Sequence, residues 1–118
     1  MLMYLAEHPG KVSSVREIAE QKHIPYAFAR SIQRDLIEAG LITTKLGAAG
    51  GALLARDPAD INLFDAIVAL QGRPSAAVCK RDPEWCAHIE FCKGHEVWVE
   101  LDRQIKEFLE ARSIADII

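Results

Sequence analysis

One stretch constrains the fold more than any other, residues 13–56, "SSVREIAEQKHIPYAFARSIQRDLIEAGLITTKLGAAGGALLAR". It carries two short helical patterns separated by a turn, followed at once by two β-rich runs around a glycine-rich tip. Ser14 stands three residues before Glu17, the pairing in which a hydroxyl and a carboxylate each satisfy a free backbone N–H at a helix start. Val15, Ile18 and Ala19 then recur at helical spacing, and the pattern fades near Lys22-His23. Pro25 opens a second helix to about Ala39, with Gly40 as its left-handed stop and Phe28, Ala29, Ile32 and Leu36 as its expected buried stripe. Two helices on a tight turn, the second polar on its outer face, predict a helix-turn-helix. "LITTK" and "ALLAR" on either side of "LGAAGG" predict a β-hairpin attached to it, which makes the unit a winged helix.

The flanks fit around that unit. "MLMYLAEHPG" reads as a helix with Leu2, Leu5 and Ala6 inward and Pro9-Gly10 as its stop; it opens abruptly at Met1, and a full helix of this kind is expected to begin earlier. Asn62 caps a helix carrying Leu63, Phe64, Ile67, Val68 and Leu70, ended by Gly72. A loop follows over 73–87. A long helix is expected from about His88 to Ala111, with Val97, Leu101, Ile105, Phe108 and Leu109 on one side, and Ser113 caps a last turn. The expected fold class is mainly α with a small β-wing: a winged helix-turn-helix over 1–72, a cysteine-containing loop over 73–95, and a C-terminal dimerisation helix and tail over 96–118. At 118 residues the chain supports a single core.

The net charge of −3 hides an asymmetry. Residues 1–56 carry seven basic against five acidic side chains, residues 57–118 seven against twelve, so a basic front and an acidic back point to two different jobs. No run of eighteen apolar residues spans a bilayer and no signal peptide is legible, so no membrane partner and a cytoplasmic location are expected. "GAAGG" lacks the Lys-Ser/Thr that a phosphate-binding loop needs, and no pair of carboxylates sits in a catalytic frame, so an enzyme is not expected.

On the second helix the N-terminal, outward positions are the ones that would meet base edges: Tyr26, Ala27, Arg30, Ser31 and Arg34. Arg30 suits a bidentate guanine contact, and Arg34, one turn on, suits the backbone. The wing adds Lys45 and the glycines Gly47, Gly50 and Gly51, which let the chain approach a groove closely. A double-stranded DNA operator is the expected partner.

All three cysteines fall in "CKRDPEWCAHIEFCKGH", residues 79–95. The spacing Cys79-x6-Cys86-x5-Cys92-x2-His95 offers three soft thiolates and an imidazole, a donor set for zinc or an iron–sulfur centre. It lacks the close cysteine pairs of most zinc ribbons, and wide spacing suits a bulkier cluster. His88 is a weaker candidate for the imidazole role.

In combination these segments resemble the winged-helix transcription regulators of the IscR, NsrR and RirA type, of which CymR is a relative without a cluster. The resemblance covers nearly the whole chain and rests on "IAEQKHIPYAFARSIQRDLIEAGLI", "GAAGGALLARDPADINLFDAIVAL", the three-cysteine loop and "HEVWVEL". It implies a homodimer crossed through the long C-terminal helix, an iron–sulfur cluster of two or four irons in the adjoining loop, and operator binding set by the state of that cluster. Cys79, Cys86 and Cys92 match the cluster cysteines, and His95 the histidine three positions after the third. The chain departs from the pattern at Leu46, where the wing usually has arginine, at Ala52, where an aromatic follows the glycine pair, and in the first cysteine gap, six residues where five is common. Neither Glu7 nor His8 matches the acidic residue that completes the cluster from the partner subunit in NsrR-like members. Two other functions stay open on the sequence: a cluster-free regulator working through thiols or zinc, and a small iron–sulfur electron carrier.

Overall fold

The computed structural model describes residues 1–76, 84 and 91–118. The elements run α1 (Leu2–Glu7), α2 (Val15–Gln21), α3 (Tyr26–Glu38), β1 (Ile42–Lys45), β2 (Gly51–Leu54), a 3-10 turn (Pro58–Asp60), α4 (Leu63–Gln71), α5 (Lys93–Glu110) and a final 3-10 turn (Ile114–Ile117). Ser14 caps α2 by accepting a bond from the Glu17 N–H at 3.1 Å, and Asn62 caps α4 through the Asp65 N–H at 2.8 Å. Gly40 ends α3 at φ +71°, as expected of a left-handed stop. These are the helix-turn-helix and the wing predicted from the sequence.

β1 and β2 pair antiparallel, Ile42 opposite Leu54 and Lys45 opposite Gly51. Ser13 adds a short third rung on the other edge: its N–H donates to the Ala52 carbonyl at 3.0 Å, and the Ala52 N–H donates back at 2.8 Å. That rung explains two residues. Ala52 is fully buried at it, and Gly51 cannot carry a side chain, because a Cβ there would lie 2.4 Å from the Ser13 carbonyl oxygen.

The core joins Leu2, Leu5 and Ala6 of α1, Ile18 of α2, Leu36 of α3, Leu41 and Ile42 at the wing, Ile61, Ala66 of α4, and Ile114 from the final turn. Tyr4 is buried with them, and its hydroxyl donates to Glu17 Oε1 at 3.0 Å while Lys11 Nζ holds the same oxygen at 2.5 Å. Lys11 first and Tyr4 second hold the Glu17 carboxyl below the usual range, so α1 is tied to the start of α2 by charge as well as by packing. The C-terminal turn returns to the winged helix: the Ile114 N–H donates to the Ile61 carbonyl at 2.9 Å, and the Leu63 N–H to the Arg112 carbonyl at 2.9 Å.

Three expectations are corrected. The long helix, expected from about His88, begins at Lys93, with Phe91 in a turn and Cys92 as the N-cap. Phe28 is 58% exposed and so is not part of the buried stripe of α3, which is carried by Ala29, Leu36 and the partly buried Ile32. Helical geometry gives the reason: Phe28 lies about 80° around the helix from the centre of that stripe, beyond the reach of the core. Leu70 of α4 is likewise exposed at its surface, where Phe64 and Ala66 are buried.

His23, in the turn between α2 and α3, sits at φ +54°, and it is the one non-glycine residue at positive φ among the described residues. Its N–H and that of Ile24 bond back to α2, to Glu20 and Ala19, which locks the turn in this conformation. A left-handed backbone costs a non-glycine residue roughly 1–2 kcal/mol, part of which glycine returns as unfolded-state entropy. His23→Gly should therefore stabilise the protein by about 0.5 kcal/mol and raise Tm by roughly 2–4 °C. A fall in Tm on calorimetry would show that the imidazole contributes more than the strain costs.

Candidate functional site

Tyr26, Ala27, Arg30 and Arg34 are exposed on α3, and Ser31 is half-buried among them. Ala27, Arg30, Ser31 and Arg34 line one shallow hollow along the outer face, together with Gln33, Ile37 and Glu38. The two arginines differ in their freedom. Arg34 is held locally, its Nη2 donating to Ser31 Oγ at 3.3 Å and its Nε 3.6 Å from Asp35 Oδ1. Arg30 makes no ion pair among the described residues, so its planar fork is available for two parallel acceptors such as guanine O6 and N7.

In the wing, Lys45 closes the ladder opposite Gly51, and Leu46 beyond it is 100% exposed. The Gly50 N–H donates to the Gly47 carbonyl at 3.0 Å, and a Cβ on Gly50 would lie 2.3 Å from the Lys45 carbonyl oxygen. Gly50 and Gly51 are thus required by the hairpin's own packing, whatever the wing touches. Lys45 and Leu46 are the large side chains the tip presents, beside the exposed methyls of Ala48 and Ala49.

Sequence reasoning passed over two groups here. Arg16, on α2, stacks over the Tyr26 ring with its guanidinium carbon 4.7 Å from the centroid, and Phe28 stands exposed beside the reading face. The signal for Arg16 was its place in the first turn of α2, where it is polar between the inward Val15 and Ile18.

At the other end of the molecule Cys92 is the N-cap of α5, with an exposed free thiol. The His95 N–H donates to the Cys92 carbonyl at 3.1 Å, which closes the first turn and places both residues on it. His95 Nδ1 is buried and has no hydrogen-bond partner among the described residues. A buried nitrogen left without a partner costs free energy unless something fills it, and a metal is one occupant of suitable chemistry. Between the two, Gly94 leaves the sulfur open on one side: a Cβ there would sit 3.4 Å from Cys92 Sγ. Cys79, Cys86 and His88 lie outside the described residues, and among the described residues no three metal-ligand side chains come together. The donors that are described, one open thiol and one unpartnered imidazole nitrogen on a single helical turn, fit the thiolate–imidazole set of an iron–sulfur centre. Glu7 and His8 are engaged elsewhere, Glu7 with Lys22 at 3.4 Å and His8 Nδ1 with the Tyr4 carbonyl at 2.8 Å.

The segment between α4 and α5 is anchored by Asp102 of α5, which sequence reasoning also passed over. Its carboxylate accepts from Ser75 Oγ at 2.8 Å and from the Ala76 N–H at 3.0 Å, fixing the start of the cysteine-bearing stretch to the long helix. α5 itself has three faces. Asp102, Val99 and Lys106 turn toward α4 around a groove shared with Phe64, and Arg103 bridges Glu100 and Glu107 on a charged face. That bridge, the Arg103 guanidinium before the Gln104 amide, draws the Glu100 carboxyl down to about 2. On the third face Val97 (64% exposed), Trp98, Leu101 and Phe108 (56% exposed) stand in solvent.

No helix among the described residues is long and apolar enough to cross a membrane. Comparison with known proteins agrees with the geometry. A putative HTH-type transcriptional regulator of Aquifex aeolicus is 30% identical over 119 residues, covering 99% of this chain and 83% of the relative. The structure of T. potens IscR superposes with a TM-score of 0.77 at 29% identity, over 98% of this chain and 76% of that one. CymR of B. subtilis superposes at 0.76 with 24% identity, over 98% and 85%, a likeness of fold alone. The profile of the Rrf2 family, described as iron-dependent transcriptional regulators, matches residues 1–118. With a winged helix in place and that match across its whole length, the chain belongs to the Rrf2 family and is a DNA-binding regulator of transcription, not an enzyme.

Proposed function

We propose that this regulator binds a duplex operator as a homodimer, and that Cys79, Cys86, Cys92 and His95 hold an iron–sulfur cluster whose presence sets operator affinity. The unpartnered, buried Nδ1 of His95 one helical turn from the exposed Cys92 thiol carries the cluster reading. A bound cluster supplies a centre that responds to oxidants, nitric oxide or iron–sulfur supply. This chain's own residues do the rest. Cys92 and His95 fix one side of the site to the first turn of α5, Asp102 fixes the start of the cysteine stretch to the same helix, and α5 continues to the winged domain through Ile114. A change at the cysteine stretch is thereby felt at the helix that sets the spacing of two recognition helices. The parts divide as reading head over 1–72, sensing loop over 73–95, and dimer helix with its tail over 96–118.

Tyr26, Ala27, Arg30, Ser31 and Arg34 read the major groove, with Lys45 and the tip glycines Gly47, Gly50 and Gly51 in the wing against the neighbouring groove. Arg30 carries most of the base discrimination, because Arg34 is already bonded to Ser31 and Asp35. Arg30→Ala should cost roughly 1–3 kcal/mol on the preferred operator and relax preference at one base pair. Binding to a randomised duplex library, sequenced for both proteins, checks it: an unchanged logo and unchanged affinity would take Arg30 out of the reading set.

A cluster-free regulator that binds zinc through the same residues is separated from this reading by colour and metal content after anaerobic purification. Membership of a family of transcription regulators sets the electron-carrier alternative aside.

A further inference from the structure

Arg16, Tyr26 and His23 meet around one hollow between α2 and α3, lined also by Ala19, Ile24 and Glu20. Tyr26 is shared with the base-reading face, whereas Arg16 and His23 lie outside it. Arg16 projects from the first turn of α2, and its guanidinium carbon lies over the Tyr26 ring, 4.7 Å from the centroid, at the first residue of the recognition helix. Among the described residues it forms no ion pair, so the stack alone orients it. A guanidinium held over an aromatic face has lost most of its side-chain freedom before any ligand arrives, and its edge donors stay free. His23 borders the same hollow from the intervening turn, on a backbone held at φ +54°. A strained, non-glycine residue beside two prearranged donors is the kind of outlier that points to a site.

We infer that Arg16, prearranged on Tyr26 with His23 beside it, forms a seat for one backbone phosphate of duplex DNA, separate from the base-reading face of α3. The inference rests on the DNA-binding reading of α3 and adds a contact that carries no sequence information. Three features favour a DNA phosphate. The seat adjoins the N-terminal end of the recognition helix, the end that enters the groove, where the sugar-phosphate wall passes. Its donors, a fork and an imidazole on a shallow open surface, match a phosphate on a strand. Glu20 is the sole acidic side chain lining the hollow, and it repels an anion there, which gives the inference a test of sign.

The test measures affinity of the full-length protein for two duplexes, one selected from a random library and one scrambled, across a salt series. Each phosphate contact contributes about 0.9 to the slope of log K against log salt. Arg16→Ala should lower the slope by about one on both duplexes, so that the affinity lost between about 50 and 200 mM salt shrinks by roughly threefold, with the selected sequence logo unchanged. Arg16→Lys keeps the charge without the stacked fork and should fall between parent and Arg16→Ala. Tyr26→Leu removes the platform and, on the scrambled duplex where base reading plays no part, should reproduce much of the Arg16→Lys loss. Glu20→Gln should tighten binding to both duplexes, and His23→Gly should weaken both even though it relieves the turn. Melting temperatures within a few degrees of the parent establish that each variant is folded. A parental salt slope in Arg16→Ala, or a loss confined to the selected duplex, would overturn the phosphate seat while leaving the recognition helix in place. Failure of the parent to bind any duplex would overturn both readings.

Discussion

Cys92→Ala should leave the protein without the proposed iron–sulfur chromophore and should erase the difference in operator affinity between loaded and stripped protein. Cys92 is an exposed free thiol at the N-cap of α5, and its side chain makes no hydrogen bond among the described residues. Removing one of three thiolates takes away an anionic ligand that no neighbouring side chain among the described residues replaces. Bound iron and sulfide should fall by at least about tenfold relative to the parent, with secondary structure unchanged and melting equal to that of the stripped parent. His95→Ala should act more mildly, weakening or altering the spectrum, because a neutral imidazole contributes less charge to the site than a thiolate. If His95→Ala leaves absorption and oxygen sensitivity untouched while Cys92→Ala destroys them, the fourth ligand is His88 or a partner residue. A colourless parent that holds zinc tightly, lost on Cys92→Ala, would replace the cluster with a zinc site on the same residues.

The helix-turn-helix and wing were legible because their signals are local. The Ser14 cap, Gly40, Asn62 and Gly72 each act through bonds to backbone a few residues away and stand where the pattern placed them, whereas the Glu17 carboxylate, expected on a backbone N–H, binds the Tyr4 hydroxyl and Lys11 instead. Long-range placement was less legible. Phe28 keeps the spacing of a core residue, and its exposure follows from its angle around α3, which the three-residue repeat does not resolve. Ala52 reads as a departure from an aromatic in related wings, and its full burial at the backbone rung it shares with Ser13, thirty-nine residues earlier, is long-range and shows in no local pattern. The Arg16–Tyr26 stack and the Asp102 anchor both join residues with no motif in common, so only the folded backbone brings them together. At the cysteine stretch the sequence supplied ligand types, and the described structure adds the unpartnered nitrogen of His95 and the open flank at Gly94.

Leu101→Asp should convert the protein from dimer to monomer at micromolar concentration and lower operator affinity by about a hundredfold or more. The stripe Val97, Leu101 and Phe108, spaced four and seven residues apart, runs along the face of α5 turned away from α4, with Trp98 and the half-buried Ile105 beside it. The charged face cannot substitute for it, since Arg103 is already engaged by Glu100 and Glu107. A continuous row of large apolar side chains on a helix that extends a molecule 59 Å long is costly to leave in water, and the same row on a second copy is a self-complementary cover for it. Leu101 lies in the middle of the row. A carboxylate there would be desolvated without a partner in both copies at once, which outweighs the remaining contacts. Ile105 is a poorer choice, because its partial burial within the chain would mix folding with association. Two tethered recognition helices bind two half-sites with an effective concentration that a monomer lacks, and losing that tether removes about two to four orders of magnitude in affinity. Light scattering and operator titration on one preparation test both halves of the expectation. A parent that is monomeric at about 10 µM, or a Leu101→Asp variant that stays dimeric with parental operator affinity, would mean that this face of α5 is covered by something other than a second copy.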